Sequence, residues 1–216
     1  MSSEDKKGLI YFQDGEVVAE YGNVKVYKMN GELFLEIGPS HTLWALESDL
    51  TDYIEQLYDY PHGRCLEIGL GLGVASRYIL TFPKVEHLTT VEKNLDVIKA
   101  HSLIKESDRG SAMIYNPSKH KVLHADGLMY AYQTKSRYDF IFIDSSAGYP
   151  PGGDGIFRNK AIEFIESQQM VHNKTIIMIH DWHHRSGKSS RKYLENNNYK
   201  LIRSFSDRTG VGAYQK

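Results

Sequence analysis

At 216 residues, with 41% hydrophobic and 25% charged content, the chain reads as one ordinary globular domain with at most a small appendage. A net charge of -1 gives no global field to recruit nucleic acid, and no apolar run approaches the roughly 20 residues of a membrane span. The single cysteine, Cys65, excludes an internal disulfide and a Cys-based zinc cluster.

Met1-Ser2-Ser3-Glu4-Asp5-Lys6-Lys7 lacks the apolar core of a signal peptide, so a frayed tail and a cytoplasmic location are expected. Residues 9–37 alternate and turn rather than repeat with helical period. Strands are predicted near 8–12, 16–20, 24–27 and 33–37, with Asp14-Gly15, Tyr21-Gly22-Asn23 and Asn30-Gly31 as turns. Gly38-Pro39-Ser40 closes this stretch, which sets residues 1–40 apart as a small N-terminal β region before a main domain of 41–216. Residues 41–58 carry Leu43, Trp44, Leu46, Leu50, Tyr53, Ile54 and Leu57 mostly at helical spacing and predict a helix.

Residues 64–80 then run from a short apolar strand through Gly69-x-Gly71-x-Gly73 into helical spacing at Val74, Tyr78 and Ile79. Strand, glycine turn and helix is how a doubly wound sheet offers a helix N-terminus to a nucleotide-like ligand. Val74 stands where a dinucleotide fingerprint has its last glycine, which argues against NAD or FAD. A second strand over 87–92 ends on Glu92, and a helix follows through Ile104. Beyond the polar stretch 106–118, a third strand over 121–125 leads to Asp126-Gly127 and a short helix. The fourth strand, 138–144, ends on Asp144. A Gly- and Pro-rich loop over 145–155 has the composition of a lid. A helix over 157–170 and a fifth strand over 175–179 lead to His180-Asp181-Trp182-His183-His184. A helix near 189–196 and strands over 199–206 and 211–215 complete the chain, the last two as a hairpin.

Five βα units and a terminal hairpin predict an α/β fold with a mostly parallel sheet, its ligands outside the carboxyl ends of the strands. Four strands in turn end on acids: Glu92, Asp126, Asp144 and Asp181. Glu92, 23 positions beyond Gly69, suits a pair of ribose hydroxyls; a helix cap is the alternative. Asp126 has the same two readings, and Asp144 lies where a transferred group would sit. Asp144 and Asp181 could share Mg²⁺ with waters completing its shell, while His180, His183 and His184 offer imidazoles for proton transfer.

The glycine turn closely resembles the first motif of class I S-adenosylmethionine-dependent methyltransferases. Residues 138–146 and 122–127, with the β-rich N-terminal piece, resemble the spermidine synthase branch of that superfamily. Two features depart from that branch. Ala147 replaces the second Asp of its Asp-Ser-Ser-Asp-Pro segment, and 29–33 lack its Asp-Gly-x-x-Gln substrate loop. The His180-Asp181 pair resembles small-molecule O-methyltransferases, some of which bind a divalent cation. The resemblance implies a Rossmann-like class I methyltransferase fold. It places the cofactor on Glu67, Gly69, Gly71, Gly73, Glu92, Asp126, Gly127 and Asp144, with Asp144, His180 and Asp181 catalytic. The implied activity is methyl transfer from S-adenosylmethionine to O or N of a small molecule. The alternatives are an aminopropyltransferase using the decarboxylated cofactor and a non-catalytic nucleoside-binding protein. A homodimer is left open. From His183 onward eight Lys or Arg face two acids, which reads as a solvated basic surface or a face for an anionic partner.

Overall fold

The computed structural model describes residues 15–38, 42–46, 57, 59–109, 116–144, 154–180, 185–205 and 210–216. Strands β1 (Glu16–Tyr21), β2 (Val24–Met29), β3 (Glu32–Ile37) and β4 (Thr42–Leu46) form an antiparallel sheet in that order. Asn30 at φ 52° and Gly31 at φ 82° make the β2–β3 turn, where two consecutive left-handed residues match the twist of the strands they join. Val24, Val26, Leu33 and Leu35 point inward and are fully buried. β4 corrects the first part of the helix expected over 41–58, with Phe34 paired to Leu46 and Ile37 to Thr42; Leu57 is helical, and 47–56 lie outside the described residues. The helical spacing of the apolar residues there lost to the hydrogen-bonding edge that β3 offers, and Thr42, Leu43 and Trp44 suit a strand. The strand expected over 8–12 lies outside the described residues.

The second sheet has seven strands: β5 (Gly63–Ile68), β6 (Val85–Glu92), β7 (His120–His124), β8 (Phe140–Ile143), β9 (Ile176–His180), β10 (Lys200–Phe205) and β11 (Val211–Gln215). Their order is β10-β11-β9-β8-β5-β6-β7. Strands β5 to β9 are mutually parallel, and β11 enters antiparallel between β9 and β10. Among the described residues, helices α1 (Val74–Thr81), α2 (Leu95–Leu103), α3 (Gly127–Gln133), α4 (Asp154–Ser167) and α5 (Arg185–Asn196) accompany them. This is the expected Rossmann-like α/β fold with a terminal antiparallel hairpin. The strand order reverses at β5 and β8, so the crevice opens where those two strands end.

Both faces of the sheet are covered, which is why its strands read as nearly continuous apolar runs. Cys65, Leu88, Phe140, Phe142 and Met178 pack on one face with Val74, Ala75 and Tyr78 of α1, Val97 of α2 and the N-terminal sheet. Leu66, Ile68, Ile141, Ile143 and Ile177 pack on the other with Ala131 of α3, Ile162 and Ile165 of α4 and Leu194 of α5. The N-terminal sheet is pinned to α2 and the turn after it. The Asn23 amide donates to Asp96 Oδ2 at 3.3 Å, and Lys28 Nζ lies 3.5 Å from Asp108 Oδ1. Among the described residues, no helix is long and apolar enough to cross a membrane.

Candidate active site

The glycine turn connects β5 to α1. Gly69 has φ 102°, a conformation in which any Cβ clashes with the backbone, and its amide donates to Val91 O at 2.9 Å. Gly73 caps α1 with φ 73°, and no side chain takes the amides of the first helical turn. A Cβ on Gly73 would stand 2.2 Å from His101 Nε2. His101 is half-buried behind the turn, and Arg109 donates to Leu72 O at 3.2 Å and His101 O at 3.1 Å. Burial first, and then the Arg109 charge, hold the His101 imidazole down at about 3, so it packs there neutral. The turn is thus braced from behind by His101 and Arg109.

Glu92 ends β6 and fastens this turn. Its Oε2 accepts from the Leu70 amide at 3.0 Å and its Oε1 from the Asn94 amide at 2.7 Å. Each oxygen keeps a lone pair for a further donor, as two ribose hydroxyls would require. Asp126 is a helix cap: Oδ1 accepts from Leu128 and Met129 amides at 2.9 and 3.2 Å, and Lys93 Nζ lies 3.5 Å from Oδ2. Gly127 is the buried first residue of α3.

Glu67 is the least expected member. It is 1% exposed, with Ser76 and Thr90 hydroxyls both on Oε2, Thr90 at 2.6 Å. Its Oε1 is buried with no hydrogen-bond partner. Burial pushes this carboxyl up to about 8, against the two hydroxyl bonds that hold it down. Thr90 Oγ1 lies 2.7 Å from His120 Nε2, extending the polar chain to β7. Sequence reasoning missed Ser76, Thr90, His101 and His120. Their one visible signal was polar side chains inside otherwise apolar segments.

Asp144 follows β8 and is tied to β5 by its amide, which donates to Ile68 O at 3.0 Å. Its Oδ1 lies 2.8 Å from Nδ1 of His180, the last residue of β9. Parallel pairing of β8 with β9 puts the two residues at adjacent strand ends beside the crevice, an arrangement hidden in the sequence by their separation of 36 positions. Asp181, Trp182, His183 and His184 and the 145–153 loop lie outside the described residues. Among the described residues no group of three or more His, Cys, Asp or Glu could hold a metal ion. The pair envisaged for Mg²⁺, Asp144 with Asp181, therefore has one described member, and that member binds an imidazole.

The chain matches the model of the spermine/spermidine synthase domain over residues 57–204. No curated protein matches it in sequence. In structure it is similar to spermidine synthase from Thermotoga maritima, with TM-score 0.65 and 16% identity over 89% of this chain and 69% of that one. A spermidine synthase in complex with the transition-state analogue AdoDATO gives TM-score 0.61 and 17% identity over 88% of this chain and 66% of that one. The SAH-bound Podospora anserina methyltransferase PaMTH1 gives 0.54 and 16%, covering 77% of each chain. At such identities the likeness is one of fold.

Proposed function

The chain belongs to the spermine/spermidine synthase domain family, and within it we propose an S-adenosylmethionine-dependent methyltransferase acting on O or N of a small molecule. The observation that carries this reading is the Asp144–His180 dyad at the crevice, Oδ1 to Nδ1 at 2.8 Å. Asp144 accepts the Nδ1 proton and fixes the tautomer, which leaves Nε2 as the acceptor. Nε2 then takes the proton of the attacking hydroxyl or amine, and the Asp144 charge stabilises the imidazolium. Such a base typically contributes about 10²–10⁴-fold.

The adenosyl cofactor fits the other residues. Glu92 would take the ribose, the Gly69–Gly73 turn the amino-acid portion, Asp126 Oδ2 and Gly127 the adenine edge, and the orphaned Glu67 Oε1 a cationic group. When bound, the cofactor supplies a carbon made electrophilic by its sulfonium. The chain's residues align the acceptor and remove its proton.

The family supports a second reading, aminopropyl transfer from the decarboxylated cofactor. A polyamine acceptor wants carboxylates along its length. Here Asp144 is committed to His180, and Ala147 stands where the spermidine synthase segment has its second acid. Methyl transfer is therefore preferred. Methyl-labelled S-adenosylmethionine, incubated with the protein and a small-molecule extract, should yield a labelled product and S-adenosylhomocysteine. His180→Ala should suppress that turnover about 10²-fold or more with S-adenosylhomocysteine affinity within a few-fold. Formation of 5′-methylthioadenosine from the decarboxylated cofactor and a diamine, without methyl transfer, would reverse the assignment.

A further inference from the structure

Glu67 takes no part in the proton transfer proposed for Asp144 and His180, and its own protonation is a separate question. Two neutral hydroxyls crowd one of its oxygens, and no donor reaches the other. Among the described residues, no cation stands in hydrogen-bond reach of it. The hydroxyls come from Ser76 on α1 and Thr90 on β6, and the titratable groups bearing on the site are Glu92 on β6, His120 on β7 and Asp144 on β8. The two other carboxylates repel a charge on Glu67. A buried carboxylate so placed does not stay ionised without a partner.

A route outward exists. Glu67 Oε2, Thr90 Oγ1 and His120 Nε2 stand in line at 2.6 and 2.7 Å, running from a fully buried acid to a half-buried imidazole on β7. Thr90 has one hydroxyl proton, so it cannot donate to both neighbours. Either Glu67 is protonated, Thr90 donates to His120 and the ring carries its proton on Nδ1, or Glu67 is ionised, Thr90 donates to Glu67 and His120 Nε2–H donates to Thr90.

We propose that Glu67 is a proton-exchanging anchor for a cationic ligand group: neutral in the free protein, it ionises when the ligand's ammonium reaches Oε1 and releases its proton along Thr90 and His120. The Glu67 O–H bond breaks as Thr90 Oγ1 takes that proton, Thr90 passes its own proton to His120 Nε2, and the ring sheds the Nδ1 proton to water. The sum is one proton lost and one carboxylate formed. The shift of the Glu67 carboxyl to about 8 agrees with the geometry. The inference rests on the adenosyl-ligand reading above and adds a proton linkage to it.

The test is calorimetry of S-adenosylhomocysteine binding near pH 7 in two buffers of different ionisation enthalpy. The wild type should release close to one proton per ligand bound. Glu67→Gln should release none, and 5′-methylthioadenosine, which has no ammonium, should release none from the wild type. Stopped-flow with a pH indicator should show release slowed at least tenfold in Thr90→Val. Should Glu67→Gln not fold, the infrared difference spectrum of the wild type decides: a protonated carboxyl band must vanish and carboxylate bands appear on adding ligand. Binding without proton release, or equal release with 5′-methylthioadenosine, overturns the linkage and leaves the function standing. An unslowed Thr90→Val overturns the route. If S-adenosylhomocysteine does not bind at all, the adenosyl reading falls, and the linkage with it.

Discussion

Fully buried Glu67 and half-buried His101 and His120 shape how this molecule responds to pH. His101 and His120 are held at about 3 and about 4, in both cases chiefly by burial. The unfolded chain protonates these histidines near 6.5. As pH falls below 6.5 it gains protons that the folded state refuses, and stability declines. Glu67, pushed up to about 8, acts with the opposite sign. Between the ordinary carboxylate range and about 8 the folded state holds a proton that the unfolded chain has lost, so stability falls as pH rises. The three together place the stability maximum near pH 6.5. Each group contributes a slope of about 1.4 kcal/mol per pH unit within its window. Urea denaturation of His101→Gln from pH 4 to 8 should show a shallower acid limb and an unchanged alkaline limb. An acid limb identical to that of the wild type would mean that His101 is not held neutral.

At the scale of elements, the site is built from strand ends and the caps that follow them. Asp126 illustrates how one acid can satisfy two readings. Its Oδ1 caps α3 by accepting from Leu128 and Met129 amides, and its Oδ2 lies 3.5 Å from Lys93 Nζ. Asp126→Ala should therefore cost about 1 kcal/mol of stability through the lost cap. Asp126→Asn keeps an oxygen acceptor for those amides and should stay within a few tenths of the wild type. If Oδ2 also reaches the adenine edge, both variants should weaken S-adenosylhomocysteine binding several-fold. A fully stable Asp126→Ala would show that the cap carries no weight; wild-type affinity in both would remove Asp126 from the ligand site. Glu92 likewise serves two segments, accepting from the Leu70 amide of the glycine turn and from the Asn94 amide ahead of α2.

For the whole molecule, contacts to α2 and the turn after it join the N-terminal sheet to the larger one. The Gly22-Asn23 turn lies against Asp96 in the first turn of α2, and a Cβ on Gly22 would stand 2.3 Å from Asp96 Oδ2. Gly22 also has φ 58°, which strains a β-branched residue. Gly22→Val should loosen this docking, with faster hydrogen exchange in β1, β2 and α2 and unchanged protection in β5 and β8. Uniform exchange across the chain would show that the turn does not hold the two sheets together.

The sequence alone determined the strands and helices of the larger sheet, since periods of 2 and 3.6, glycines and caps are local properties. It also marked the glycine turn and the acids at strand ends, because those positions follow from where apolar runs stop. What it misread was β4, where residues with helical spacing found a strand partner in β3. What it could not give were meetings between distant residues. His180 reaches Asp144 because β8 and β9 are neighbours, and Glu67, Ser76, Thr90 and His120 converge from two strands, a helix and a third strand. Those contacts depend on strand order and on which face each side chain takes. Their chemistry depends on removal from water, since a glutamate in a sequence is a charge, and only the packing around Glu67 makes it a neutral acid.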